Sequence, residues 1–417
     1  MNPALASAIV DCLRADRFPD NTLSEIKQFS RREWNRTLFW LNGSGLPHYF
    51  LTRLLDSGSE RAVPPEIVAY LARNFAQNQR RVDAMGREFA YLNQRLTDAG
   101  VEFAAVKGFE LAPDYCPNLS LRSWYSHDYL VSHACFPHAG RVLEQAGYSI
   151  RRRGAKGEVV FSIQPLVTPA HMETCYTEEF PRMVVLHQSM WSSEHSKVRV
   201  SPPPDALLRR HQRSWQNISF SALADEDALV FLTLDTFEHV LGYWCKLSWF
   251  FEIANFLRIK AQDPEFWQRF YNRIDQSGKL PEIAGLVFLL ASRLFHVELP
   301  SAIRLQVSNL RRPLAMWVEH YGWKWAGAKY PGSKLSLFLQ RELIDDPVAW
   351  EELSQQRLFL VHRLQRIAKP ATSIPSEATV NRRNWRSALK RMKFHGLTTY
   401  RYAMEVPRWK RLLAEGR

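Results

Sequence analysis

Apolar residues recur at helical spacing through the first hundred positions. Ala4, Ile9 and Leu13 share one face near the start, and Trp34, Leu38 and Leu41 form another that stops at Gly43 and Gly45. Pro64-Pro65 suits a helix entrance, and Ile67, Leu71, Phe75, Phe89, Leu92 and Leu96 then carry an apolar stripe to Gly100. The period changes there. The short run Val101 to Val106, closed by Lys107-Gly108, predicts a buried strand, with a short helix from Glu110. Further strands are expected over His127 to Ser132, Tyr148 to Arg152, Val159 to Ile163 and Met183 to Gln188, with a helix over Arg141 to Ala146 capped by Gly147. Past Pro202-Pro203-Pro204 the helical period returns: Leu247, Phe250, Ala254 and Leu257 lie on one face, and residues 282–297 and 349–367 look alike. Gly327 to Ser333 reads as a loop and Lys369 to Thr379 as a linker.

These patterns predict an α+β chain in four parts: a helical segment over 1–98, a mixed α/β core over 99–200, a helical domain over 205–368, and a linker with a tail over 369–417. With 417 residues, 46% of them hydrophobic and 23% charged, the chain is too apolar for disorder and long enough for more than one packing unit. No apolar run approaches the roughly 18 residues that span a bilayer. The first residues lack a basic signal-peptide region, so a cytoplasmic protein is expected. Five cysteines without a CxxC pair indicate neither a disulfide framework nor a cysteine zinc site. His127, His133 and His138 cluster without a metal-ligand spacing, so no zinc is expected.

Charge is concentrated at one end. From Asn381 to Arg417 eleven Lys or Arg stand against two Glu, so +9 of the net +13 lies there. Trp385, Leu389 and Met392 repeat at helical spacing, with Arg382, Arg386, Lys390 and Lys393 on an adjacent stripe. Such a basic amphipathic helix suits an anionic membrane surface or a polyanion such as RNA, with 382–417 as the contact and a membrane-peripheral location the consequence. The plainer reading packs its Trp face on the body and leaves the basic face in water.

Residues 96–150 carry the chemistry. Gly100-Val101 leads into Val106-Lys107-Gly108, and seventeen residues separate that Gly from Ser126-His127-Asp128-Tyr129-Leu130-Val131. Leu143, Gly147 and Tyr148 follow, and Arg122 stands four residues before Ser126. This run resembles the uncharacterised bacterial nucleotidyltransferases of the DNA-polymerase-β-like superfamily, which read "LKG", a spacer, "DxDxLV" and "L…GY". VVLHQSMW (184–191) is similar to the third-strand "(V/I)D(L/V)HW" of that family, and KLSWFFEIANFLR to its C-terminal helix. The family's usual fold is a mixed sheet between helical segments.

The resemblance implies Mg²⁺ held by strand carboxylates, a nucleoside triphosphate, and transfer of its nucleotidyl group to a hydroxyl acceptor. By position, Asp128 is then the catalytic metal ligand, and Lys107, Gly108, Ser126, Arg122 and His187 surround the nucleotide. Arg122 fits a structural ion pair at least as well as a phosphate contact, and His187 fits a core histidine. Two family carboxylates are replaced: Ser126 stands at the first position of DxD and Val185 at the third-strand position. Glu110 and Glu252 are the places to seek substitutes. The alternative implied by these losses is a catalytically degenerate member, serving as a nucleotide sensor or a partner-binding scaffold.

Overall fold

A computed structural model describes residues 1–14, 21–154, 157–165, 175–275, 277–359 and 377–415, with side chains of the last segment from residue 389. Its architecture is mixed α+β, as the apolar periods predict. Local chemistry sets the helix ends. Ser30 Oγ accepts from Glu33 N–H while Glu33 accepts from Ser30 N–H, a reciprocal cap that starts the Arg31–Ser44 helix. Pro65 opens the Pro65–Asp98 helix, on which Ile67, Leu71, Val82, Met85, Phe89, Leu92 and Leu96 are buried.

Seven strands form one sheet: β1 (Phe103–Val106), β2 (Ser126–Val131), β3 (Ser149–Arg153), β4 (Val159–Ser162), β5 (Met183–His187), β6 (His211–Trp215) and β7 (Ile218–Ala222). Their order is β3-β4-β5-β2-β1-β7-β6. β2 sits at the centre, antiparallel to β1 and parallel to β5. Period-two alternation divides β2 between the two faces of the sheet. On one, His127 and Tyr129 stack with Phe89 of the Pro65–Asp98 helix. On the other, Asp128 faces the Asp225–Leu241 helix, whose Phe231 meets the His187 ring edge-on at 5.6 Å.

The first five strands match the expected segments within two residues. The β6–β7 hairpin does not: strands were expected only up to about residue 190, and these two extend the sheet past residue 200. The short helix from Glu110 is a 3₁₀ turn, Gly108–Leu111. The expected linker falls almost wholly outside the described residues, as do positions 360–367 of the helix expected over 349–367; its described part is Pro347–Leu358.

Leu280–Phe295, buried along nearly its whole length, packs against Leu247–Ile259, Ser301–Ser308, Asp225–Leu241 and Arg312–Ala326. The tail is helical over Glu377–Ala414. It docks through Tyr402 and Trp409, which lie 4.8 and 5.3 Å from the Phe338 ring. Leu389 and Met392, expected on its packing face, are 50% and 56% exposed, so the packing lies further along the helix; the Trp385 side chain is outside the described residues. Among the described residues no helix is long and apolar enough to cross a membrane.

Candidate functional site

The turn after β1 is sharply built. Lys107 has φ 61° and Gly108 φ 52°, a left-handed pair that costs the lysine conformational energy. A Cβ on Gly108 would stand 3.0 Å from Trp124 Nε1. The Glu110 carboxylate accepts the Lys107 N–H at 3.0 Å and holds the turn closed. This gives Glu110, expected as a substitute metal ligand, a backbone partner instead. It is fully buried, and burial raises its pKa to about 8.

A carboxyl raised from 4.5 to about 8 on folding contributes stability below pH 4.5 that is lost as pH climbs towards 8. Glu110→Gln keeps an acceptor for Lys107 N–H without a titratable charge. Between pH 5 and 8 the wild type should lose urea resistance relative to the variant, so the variant overtakes it at alkaline pH. Parallel profiles would remove Glu110 from this account.

From the turn, Lys107 reaches across the sheet. Its ammonium lies 2.7 Å from Asp235 Oδ1 and 3.5 Å from Asp128 Oδ1, and 5.6 Å from the Phe231 ring centroid. Register brings the others together: Asp128 pairs with Val106 on one side and Val185 on the other, and His187 pairs with Leu130. Ser126, on the same face of β2, donates its hydroxyl to Asp128 Oδ2 at 2.6 Å. His187 Nε2 donates to Asp128 Oδ1 at 2.9 Å. Asp128 is 8% exposed. Burial opposes its ionisation, but Lys107, His187 and Ser126 outweigh burial and hold its pKa well below the carboxylate range. The same carboxylates hold Lys107 charged against burial, Asp235 the more strongly.

The structure therefore gathers Lys107, Ser126, Asp128 and His187 into one cluster and adds Asp235, which the motif reading missed. Its signal was present: Asp235 is the one charged residue in Ala228 to Phe237, a stretch otherwise buried throughout. Arg122 goes elsewhere. Its guanidinium pairs with Glu252 at 2.7 and 2.9 Å, both residues 4% exposed, and stacks over Trp124 at 5.1 Å. Glu252 is thereby engaged by Arg122. Among the described residues no group of three or more His, Cys, Asp or Glu side chains is placed to hold a metal ion. A family model described as an uncharacterised nucleotidyltransferase matches residues 30–296. No curated protein matches the chain.

Proposed function

The chain belongs to the uncharacterised nucleotidyltransferase family, and from that membership we propose a degenerate member that acts by binding rather than by nucleotidyl transfer. The observation that carries this reading is the Lys107 ammonium lying between Asp128 and Asp235. Two divalent ions would bring +4 to a site where these carboxylates supply −2 and Lys107 returns +1. Both oxygens of Asp128 already accept hydrogen bonds within the protein, and its register neighbour on β5 is Val185, which has no donor atom. The residues present do not fit a two-Mg²⁺ centre.

Removing one preorganised charge from such a site costs ~10² to 10³ in rate. The two replacements at Ser126 and Val185 would together cost on the order of 10⁴ to 10⁶ if they acted independently, which groups working as a unit seldom do. The Lys107-Gly108 turn beside Asp128 supports a binding role, since it stands where the family's resemblance puts the nucleotide. A nucleotide sensor or a partner-binding scaffold uses that turn without the transfer chemistry.

A second reading keeps activity: a Mg²⁺-dependent transferase in which Asp235 supplies a substitute carboxylate. It is favoured by the convergence of Asp235 and Asp128 on one cation. Release of pyrophosphate from each ribonucleoside triphosphate in Mg²⁺ separates the two. The wild type should release none above the buffer rate, and Asp128→Asn should look the same. Turnover by the wild type that Asp128→Asn abolishes would overturn the binding reading and establish the second.

A further inference from the structure

The tail helix Glu377–Ala414 docks along one face. Thr398 and Trp409 are buried, and Phe394, Tyr402 and Val406 are half-buried in the same stripe. Its rings rest on the body: Phe394 on Tyr243, Tyr402 on Phe338, and Trp409 on both Phe338 and Tyr321. The Lys334 ammonium donates to Thr399 Oγ1 at 2.6 Å and adds a polar tie. Tyr400 and Pro407 fall about three and five turns after Leu389, in line with it and opposite Thr398 and Trp409.

That opposite face lacks the purely polar surface of a solvated helix. Leu389, Met392, Leu397, Tyr400 and Met404 on it are 48–64% exposed. Lys390, Lys393, Arg408, Lys410 and Arg411 are exposed among and beside them. From Lys390 to Arg411 seven Lys or Arg stand against one acidic residue, Glu405. Glu405 is turned to the body, where Tyr321 and Lys324 bond it at 3.1 and 3.2 Å. Among the described residues the ion pairs of this helix run only from Glu405, to Lys324 and, at 3.9 Å, to Arg408. The other six cations keep their charge for a partner.

The partner's chemistry follows from that combination. A second copy of the chain would bring like charges face to face across a self-complementary interface. Single-stranded nucleic acid answers the charge but binds through stacked bases, and Tyr400 is the one aromatic residue on the outward face. An anionic bilayer answers both features: aliphatic side chains enter the acyl boundary while Lys and Arg meet headgroup phosphates. Docking through the opposite stripe lets the folded chain lie on such a surface without releasing the helix.

We infer that the outward face of the tail helix seats the folded chain on an anionic lipid bilayer, with Leu389, Met392, Leu397 and Tyr400 entering the boundary layer. This face lies outside residues 30–296 and does not rest on the function proposed above.

Co-sedimentation of the full chain with vesicles tests it. The wild type should bind vesicles of phosphatidylcholine with phosphatidylglycerol and not those of phosphatidylcholine alone. Each Lys or Arg at an anionic surface contributes about fivefold in affinity, so the pair Lys390→Glu, Lys393→Glu should weaken binding at least tenfold. The pair Met392→Ser, Leu397→Ser keeps the charge and should weaken it several-fold. All four positions are exposed, and unchanged urea midpoints show that the fold is intact. Absence of binding to the anionic vesicles, or equal binding to both kinds, overturns the proposal. So does a loss in the charge variant alone, which would mean contact with a polyanion without insertion. Single-stranded RNA that binds more tightly than the vesicles and displaces the chain from them would assign the face to nucleic acid instead.

Discussion

Arg122→Ala should destabilise the fold by ~3–5 kcal/mol, the scale for breaking a buried ion pair from one side. The pair is closed: Arg122 Nε and Nη2 each donate to one Glu252 oxygen, and both side chains are almost wholly out of water. Among the described residues only Arg122 donates to Glu252, so truncating Arg122 leaves a bare buried carboxylate. Glu252→Ala should do comparable harm by stranding the guanidinium. The double variant Arg122→Met, Glu252→Leu removes both charges and should recover most of the loss, because the desolvation penalty goes with them. Urea unfolding of the three variants makes a double-mutant cycle. A phosphate-binding Arg122 would give another result: little change in stability and a drop in nucleotide affinity. A cost below about 1 kcal/mol for Arg122→Ala would show that the pair does not anchor the Leu247–Ile259 helix to the loop before β2.

That pair also shows where reading the chain succeeds and where it stops. β1 and β5 were legible because both their faces are buried and their apolar runs, FAAV and MVVL, are continuous, whereas β2 opens on Ser126-His127-Asp128 and was legible through Tyr129, Leu130 and Val131 and the motif spacing. The β6–β7 hairpin was not. HQRSW carries no buried residue, the connection Gln216-Asn217 lacks a Gly, and the hairpin lies at the sheet edge where water satisfies polar side chains. In the site, one motif spacing led to Lys107 and Asp128 and the third-strand resemblance to His187, and the centre of the sheet brings the three together. Nothing local pairs Arg122 with Glu252, 130 positions away, and nothing local sends Asp235 to Lys107. Glu110, named only as a place to seek a substitute ligand, has a backbone partner for a different reason. Its position after Gly108 suited a ligand, but the left-handed turn at Lys107 exposes an N–H that its carboxylate takes.

Lys107→Met, in the turn after β1, is expected to destabilise the sheet strongly, by an amount that depends on pH. The substitution leaves two carboxylates, Asp128 and Asp235, facing the space of one removed cation. Asp128 keeps Ser126 and His187 but loses the charge that most strongly offsets its burial. In the wild type its depressed pKa contributes stability that is complete above about pH 4 and lost as pH falls further. In the variant that contribution disappears and burial pushes the pKa up instead. The deficit should therefore be greatest near neutrality, ~3–5 kcal/mol by analogy with other broken buried pairs, and should shrink as Asp128 protonates in acid. Lys107→Arg keeps the charge and should lose less. Urea midpoints of the three proteins at neutral and acid pH make the comparison. Millimolar Mg²⁺ then decides between the two functional readings: a ligand that binds only the folded state stabilises by RT ln(1 + [L]/Kd). Under the binding reading the ion stabilises neither the wild type nor Lys107→Met, because the donor set is incomplete even with the ammonium gone. Recovery of the variant in Mg²⁺ would mean that Asp128 and Asp235 suffice to hold a divalent cation, and that Lys107 alone stands between this site and metal chemistry.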